Sequence, residues 1–454
     1  MSEYEEFIKA KSQSSEYGGF EPNWMPDSLF GFQKYLDEWA IRKGRAAIFS
    51  ECGTGKTLMQ LVWGENVVRH TNKPVLLATP LAVGSQTVQE ADKFGVRARR
   101  TRHGQFDGEA CVWVTNYEQL HRYNPKDFAG FIGDESGCIK DMKSQTKANV
   151  VEFTREMTYR LLCTATAAPN DFFELGNSSE ALGYLGFRDM LTWFFKQEQN
   201  GGHHGWGRSH YRFRGHAEQP FWKWVCSWAR SLRKPSDLGF DDNGFILPGL
   251  EQEEIVVQTA KARPGTLFTL PARDMQEERA ERRWSIQERC ERAAALALAH
   301  DGPVSLWCEL NPEGDLLEKL VPNCVQVSGS MSDDEKEDAL TAFTTGQVKR
   351  IVLKPKLGAW GLNWQHCCRA VVFPSHSYEQ YYQLVRRHYR FGQKNTVKVS
   401  LVLSEGETSI VRNLQRKERQ ADEMFQSIVT HMSDALSLMS RDNFPVKESV
   451  PQWL

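Results

Sequence analysis

The sequence predicts an α/β protein built on two parallel sheets. Short apolar runs alternate with helical patterns along most of the 454 residues, and the runs fall into two sets of five with similar spacing. Composition supports the same class: 40% hydrophobic and 25% charged residues describe an ordinary globular chain, neither disordered nor fibrous. A chain of this length can bury more than one substantial core.

In the first half the predicted strands are Ala46–Phe49, Val75–Ala78, Cys111–Val114, Phe128–Ile132 and Arg160–Cys163. In the second they are Val304–Cys308, Val325–Val327, Arg350–Leu353, Ala370–Phe373 and Val397–Leu403. Between the sets, residues 187–250 break the pattern. From Arg188 to Ser236 nine Lys/Arg face three Asp/Glu, and ten aromatics share the window, Trp193 to Trp228. So many aromatics need burial or a partner, which predicts a mainly helical inserted segment rather than a flexible linker. Basic side chains interleaved with aromatics can bind a nucleic-acid backbone, and Arg208, Arg212, Arg214 and Lys223 are the candidates. The aromatics fit a small core of their own equally well. His203, His204, His210 and His216 with Cys226 match no standard zinc spacing.

Other classes are excluded. No run of 18 apolar residues is long enough to cross a membrane. The opening MSEYEEFIKAK lacks the apolar core of a secretory signal, so a cytoplasmic location is expected. Ten cysteines occur without a CxxC pair, which fits reduced thiols better than a disulfide framework. A net charge of −2 means that any nucleic-acid surface must be local.

Two motifs carry chemistry. Ser50-Glu51-Cys52-Gly53-Thr54-Gly55-Lys56-Thr57 follows the first strand and precedes a helix with Leu58, Leu61 and Val62 on one stripe. A turn containing Gly53, Thr54 and Gly55 lets backbone N–H groups wrap a phosphate at a helix N-terminus. Lys56 would then reach the β/γ-phosphates of ATP and Thr57 would sit on Mg²⁺. The strict pattern has Gly where Ser50 stands. Asp134-Glu135-Ser136 ends the fourth strand; Asp134 is placed to hold Mg²⁺ and Glu135 to activate water. In the second half, Ser377-Tyr378-Glu379-Gln380 reads as a helix start and Gly392 as its end. Gln383, Arg387 and Arg390 are spaced i, i+4, i+7, so one helical face is expected to carry all three.

Ser50–Thr57, Asp134-Glu135-Ser136 with Ile139-Lys140, and Thr164-Ala165-Thr166 resemble the first three core motifs of superfamily-two helicases. Pro169-Asn170 with Glu174-Leu175 makes the Swi/Snf-type branch the nearest likeness, and the compact size resembles its phage- or prophage-encoded members. Gly358–Asn363 and Gln383–Gln393 are similar to the fifth and sixth motifs, although Arg386 stands where that family commonly has glycine.

The resemblance implies two RecA-like lobes that close on MgATP and track along double-stranded DNA. It implies an adenine-reading role for Gln33, nucleotide contacts from Gly361 and Gln383, and two arginines, Arg387 and Arg390, that complete the ATP site. Thr164 and Thr166 would couple hydrolysis to DNA grip. Thr79, Pro80, Thr115, Ser328, Gly329 and Asn363 would touch nucleic acid. The expected partition is an extension over 1–27, lobe one over 28–186, an insert and brace over 187–250, lobe two over 251–430 and a tail over 431–454.

The expected activity is that of a DNA-dependent ATPase and translocase acting as a monomer, with a protein partner through the insert left open. A strand-separating DNA or RNA helicase and a non-hydrolysing scaffold are the alternatives.

Overall fold

The computed structural model describes residues 18–80, 83–101, 103–139, 144–168, 170–197, 211–258, 275–358 and 363–439. The chain divides into two compact units. One holds the described residues up to Asp242 together with those from Gln420 onward, and the other is Asn243–Arg419.

The first unit is organised by a seven-stranded sheet. Its members are β1 (Arg45–Ser50), β2 (Val75–Thr79), β3 (Ala98–Arg100), β4 (Val112–Asn116), β5 (Gly130–Asp134), β6 (Tyr159–Thr164) and, after a two-stranded hairpin of β7 (Phe195–Gln197) and β8 (Tyr211–Phe213), β9 (Ala229–Leu232). The order is β3-β4-β2-β5-β6-β1-β9, and every pair is parallel. All five strands expected in this half are present. They read as continuous apolar runs because a parallel sheet is covered on both faces.

The second unit has a six-stranded parallel sheet of β10 (Leu250–Val257), β11 (Val304–Trp307), β12 (Cys324–Val327), β13 (Arg350–Leu353), β14 (Arg369–Val372) and β15 (Val397–Ser404), ordered β10-β15-β14-β11-β13-β12. The two parallel-sheet lobes of the expected RecA-like class are therefore observed.

The 187–250 stretch is not a body of its own. β9 is the edge strand of the first sheet and β10 opens the second. Phe194, Phe195, Phe221, Trp222 and Trp228 are buried in the same core cluster as Phe49 and Leu76 of the sheet. Ring contacts knit them together, with centroids 4.7 Å apart for Phe195–Phe213 and 5.0 Å for Phe221–Trp222. The aromatics therefore form core, and the hairpin and the helices Phe187–Phe194 and Glu218–Trp228 belong to lobe one.

The chain end differs as well. Thr408–Met439 is one 32-residue helix, not a lobe end followed by a separate tail. From Gln420 it is part of the first unit, where Met424, Phe425, Ile428 and Met432 join that core. No helix among the described residues is long and apolar enough to cross a membrane.

Candidate nucleotide-binding site

β1 delivers the phosphate turn to the N-terminus of helix Lys56–Thr71. Gly53 and Gly55 take φ of 89° and 85°, left-handed values that favour glycine. A Cβ at Gly55 would also collide with the Gln33 amide. That amide is fixed on both sides: Gln33 Nε2 donates to the Thr54 carbonyl at 2.7 Å, and Gln33 Oε1 accepts from Phe30 N at 3.0 Å. Gln33 thus touches the turn itself. Thr54 Oγ1 donates to the Glu51 carbonyl at 2.7 Å and closes the loop.

Lys56 Nζ donates to the carbonyls of Ser50 (2.8 Å) and Glu51 (3.2 Å), curled over the turn. Burial by itself lowers its pKa, but Cys52, Glu135, Asp134 and Glu51 together outweigh burial, and the net shift is upward. The ammonium stays charged. Thr57 follows in the first turn, half-buried.

Asp134 is the last residue of β5 and is buried. Its Oδ1 accepts from Gln60 Nε2 at 2.7 Å, and its carbonyl accepts from Tyr117 Oη at 2.7 Å. Burial, and then the neighbouring Glu135 charge, push its carboxyl up to about 7 against the opposing pull of Gln60 and Lys56. Glu135 has φ 48°, a conformation that L side chains rarely adopt. Its Oε2 accepts from Thr164 Oγ1 at 3.2 Å, and Thr164 Oγ1 in turn accepts from Thr166 N at 3.0 Å. The third motif is therefore hydrogen-bonded to the glutamate of the second.

Donor chemistry tests the fit of a cation here. A threonine hydroxyl and a buried aspartate are hard oxygen donors, which suit Mg²⁺. The left-handed glycines and the charged Lys56 suit a polyphosphate.

In the second unit, Ser377 caps helix Tyr378–His388, its hydroxyl accepting from Gln380 N. The helix ends four residues before Gly392. Gln383 and Arg387 are on it and are buried, whereas Arg390 lies two residues beyond its end. The expected single face of three is corrected to two plus a turn. The cause is competition for the terminal carbonyls: Trp364 N donates to Arg387 O at 3.0 Å and Gln393 Nε2 to His388 O at 3.1 Å, while Tyr389 leaves helical geometry at ψ 82°.

The nucleic-acid candidates are scattered. Thr79 is buried with Oγ1 donating to Pro80 O at 2.6 Å, and Thr115 Oγ1 lies 3.2 Å from Tyr123 Oη. Both hydroxyls are engaged inside the lobe. Ser328 Oγ pairs with Ser330 Oγ at 2.8 Å, and no atom lies within 4 Å of where a Gly329 Cβ would stand. Asn363 is half-buried. Arg212, Arg214 and Lys223 are exposed, Arg214 Nε donating to Phe195 O at 2.7 Å. Arg208 and Gly361 lie outside the described residues, as do Lys140, Pro169, His203, His204 and His210.

Two residues at these sites escaped the sequence reading, Gln60 and Tyr117, while His388 and Gln393 lie in the sixth-motif segment without having been given a role. Gln60 carried a signal, a polar residue one turn after Lys56 among Leu58, Met59, Leu61 and Val62.

Residues 301–392 match the family described as the helicase conserved C-terminal domain. No curated protein sequence matches the chain. Among solved structures, the Sulfolobus solfataricus SWI2/SNF2 ATPase core in complex with dsDNA is similar at 16% identity and a TM-score of 0.44, covering 94% of this chain and 99% of that one. At that identity and score the likeness says nothing about activity or ligand.

Proposed function

We propose that the chain is a nucleic-acid-stimulated ATPase that translocates on double-stranded DNA. One observation carries the reading: a GKT turn and an Asp-Glu pair whose glutamate is held by Thr164 share a chain with a segment that matches the helicase C-terminal family. In this reading Gly53–Thr57 cradles the β- and γ-phosphates, with Lys56 leaving its carbonyl partners for phosphate oxygens. Thr57 and Asp134 would hold Mg²⁺, which neutralises phosphate charge when bound. Glu135 orients a water and takes its proton, and Thr164 holds the Glu135 carboxylate in place. Arg387 and Arg390 supply always-charged guanidinium groups to the triphosphate. Gln33, next to the turn, is the adenine contact. Nucleic acid stimulates turnover by favouring the hydrolysis-competent arrangement, a population shift rather than new chemistry.

The test is ATP hydrolysis by the full chain with duplex DNA, single-stranded DNA, RNA or no nucleic acid. We expect the largest stimulation with duplex, with triplex displacement but no fork unwinding. Fork unwinding would favour the strand-separating helicase. No hydrolysis under any condition would leave only a binding scaffold. Lys56→Ala and Arg390→Ala are each predicted to remove hydrolysis while circular dichroism stays unchanged; near-normal turnover in both would refute the assignment.

A further inference from the structure

Helix Lys56–Thr71 buries two amide side chains, and they are used differently. Asn66 is saturated: its Oδ1 accepts from Asn23 N (2.8 Å) and Trp24 N (2.9 Å), and its Nδ2 donates to Trp24 O and Val62 O. That is a structural role, pinning the chain ahead of the first helix. Gln60 has no exposed surface either; among the described residues its Nε2 donates to Asp134 Oδ1 at 2.7 Å, and its side chain also hydrogen-bonds with Cys163. Its Oε1 is buried with no partner there. A buried amide kept only for packing would be replaced without loss by Leu or Met, because an unsatisfied carbonyl is costly. What Gln60 supplies is one directed N–H at one carboxylate oxygen.

The consequence is geometric. Tyr117 Oη anchors the Asp134 backbone through its carbonyl, and the Asp134 carboxylate itself is held by Gln60 Nε2 and by the Glu135 backbone N–H. Outer partners of this kind orient ligating groups and set metal affinity.

We propose that Gln60 is a positioning residue that holds Asp134 in the orientation required by the divalent cation accompanying the nucleotide. The proposal rests on the nucleotide-site reading above. It places the determinant of cation affinity on the same helix as Lys56 and Thr57, so that one element presents the lysine, the hydroxyl and the aligned aspartate.

The experiment compares the full-length chain with Gln60→Leu, which keeps the volume and removes the donor, and Gln60→Asn, which keeps the amide one methylene short. Three quantities are read: the Mg²⁺ concentration for half-maximal ATPase, the affinity for ADP in EDTA against ADP with Mg²⁺, and the melting temperature. We expect Gln60→Leu to need roughly ten-fold more Mg²⁺ or beyond, with turnover recovering at saturating Mg²⁺. Metal-free ADP binding should stay within about two-fold of wild type, which also certifies a folded turn; Gln60→Asn should be intermediate. Unchanged Mg²⁺ dependence in Gln60→Leu, or equal loss of both ADP forms, overturns the proposal. A wild-type chain that binds neither ADP form overturns the nucleotide-site reading and takes this role with it.

Discussion

Glu135 combines two features that rarely coincide: a left-handed backbone and a carboxylate held by a neighbouring threonine. Strain of this kind costs on the order of 1–3 kcal/mol and persists where surrounding contacts impose it. Glu135→Gln is predicted to keep ATP binding and to lower turnover by about 10²–10⁴-fold, the usual range for a lost general base. Retention of more than a tenth of wild-type turnover would remove Glu135 from that role.

His388 allows a pH prediction. Trp307 Nε1 donates to Ser305 Oγ at 2.8 Å, Ser305 Oγ lies 3.0 Å from His388 Nε2, and His388 Nδ1 lies 3.2 Å from Cys367 O. A carbonyl only accepts, so the proton is on Nδ1 and the ring is neutral. Burial is the main cause that depresses its pKa to about 3. An unfolded histidine titrates near ~6.5, so the unfolded state binds the proton first as pH falls. Stabilisation is complete above that value and is lost between it and about 3, by roughly 1.4 kcal/mol per pH unit. The urea midpoint of wild type should therefore fall more steeply between pH 7 and 5 than that of His388→Gln; parallel slopes would contradict the buried neutral ring.

At the scale of elements, the strands legible in the sequence are mostly runs buried on both faces; the partly exposed edge strand β12 is the exception. Of the five strands missed, the three in the two large sheets each carry charge for an identifiable reason. β9 contains Arg230, which is buried with its guanidinium 4.3 Å from the Trp39 ring centroid, so the run Ala-Arg-Ser-Leu does not look apolar. β10 is an acidic edge strand, and its Glu253 is answered by Lys398 at 2.9 Å and Ser400 at 2.5 Å. β3 shows Arg99 paired with Asp107 and Glu109.

Among site residues, the turn, the acidic pair and the third motif were legible because fixed spacing encodes them. Gln60 and Tyr117 were not, since their contacts span 74 and 17 positions. The end of helix Tyr378–His388 was misjudged because tertiary donors, not Gly392, terminate it.

The helix Thr408–Met439 also supports a stability prediction. Phe425 is buried in the first unit's core, Arg233 lies over its ring at 4.7 Å, and Arg233 pairs with Asp422 at 2.6 Å. Phe425→Ala should cost about 3–5 kcal/mol of that unit's stability, read as a lower urea midpoint by tryptophan fluorescence. A loss below about 1 kcal/mol, the surface-substitution range, would show that this end of the helix is dispensable.

For the molecule as a whole, the contact-defined units cut across sequence order: the first contains both the early part of the chain and its last described helical turns. The polypeptide thus passes from one unit to the other near Asp242 and returns near Arg419. A protease that severs only one of these passages would yield two bands on a denaturing gel but one species on a sizing column. The remaining passage lies within one fragment, so what keeps the two in company is the burial of Met424, Phe425, Ile428 and Met432 against the rest of the first unit.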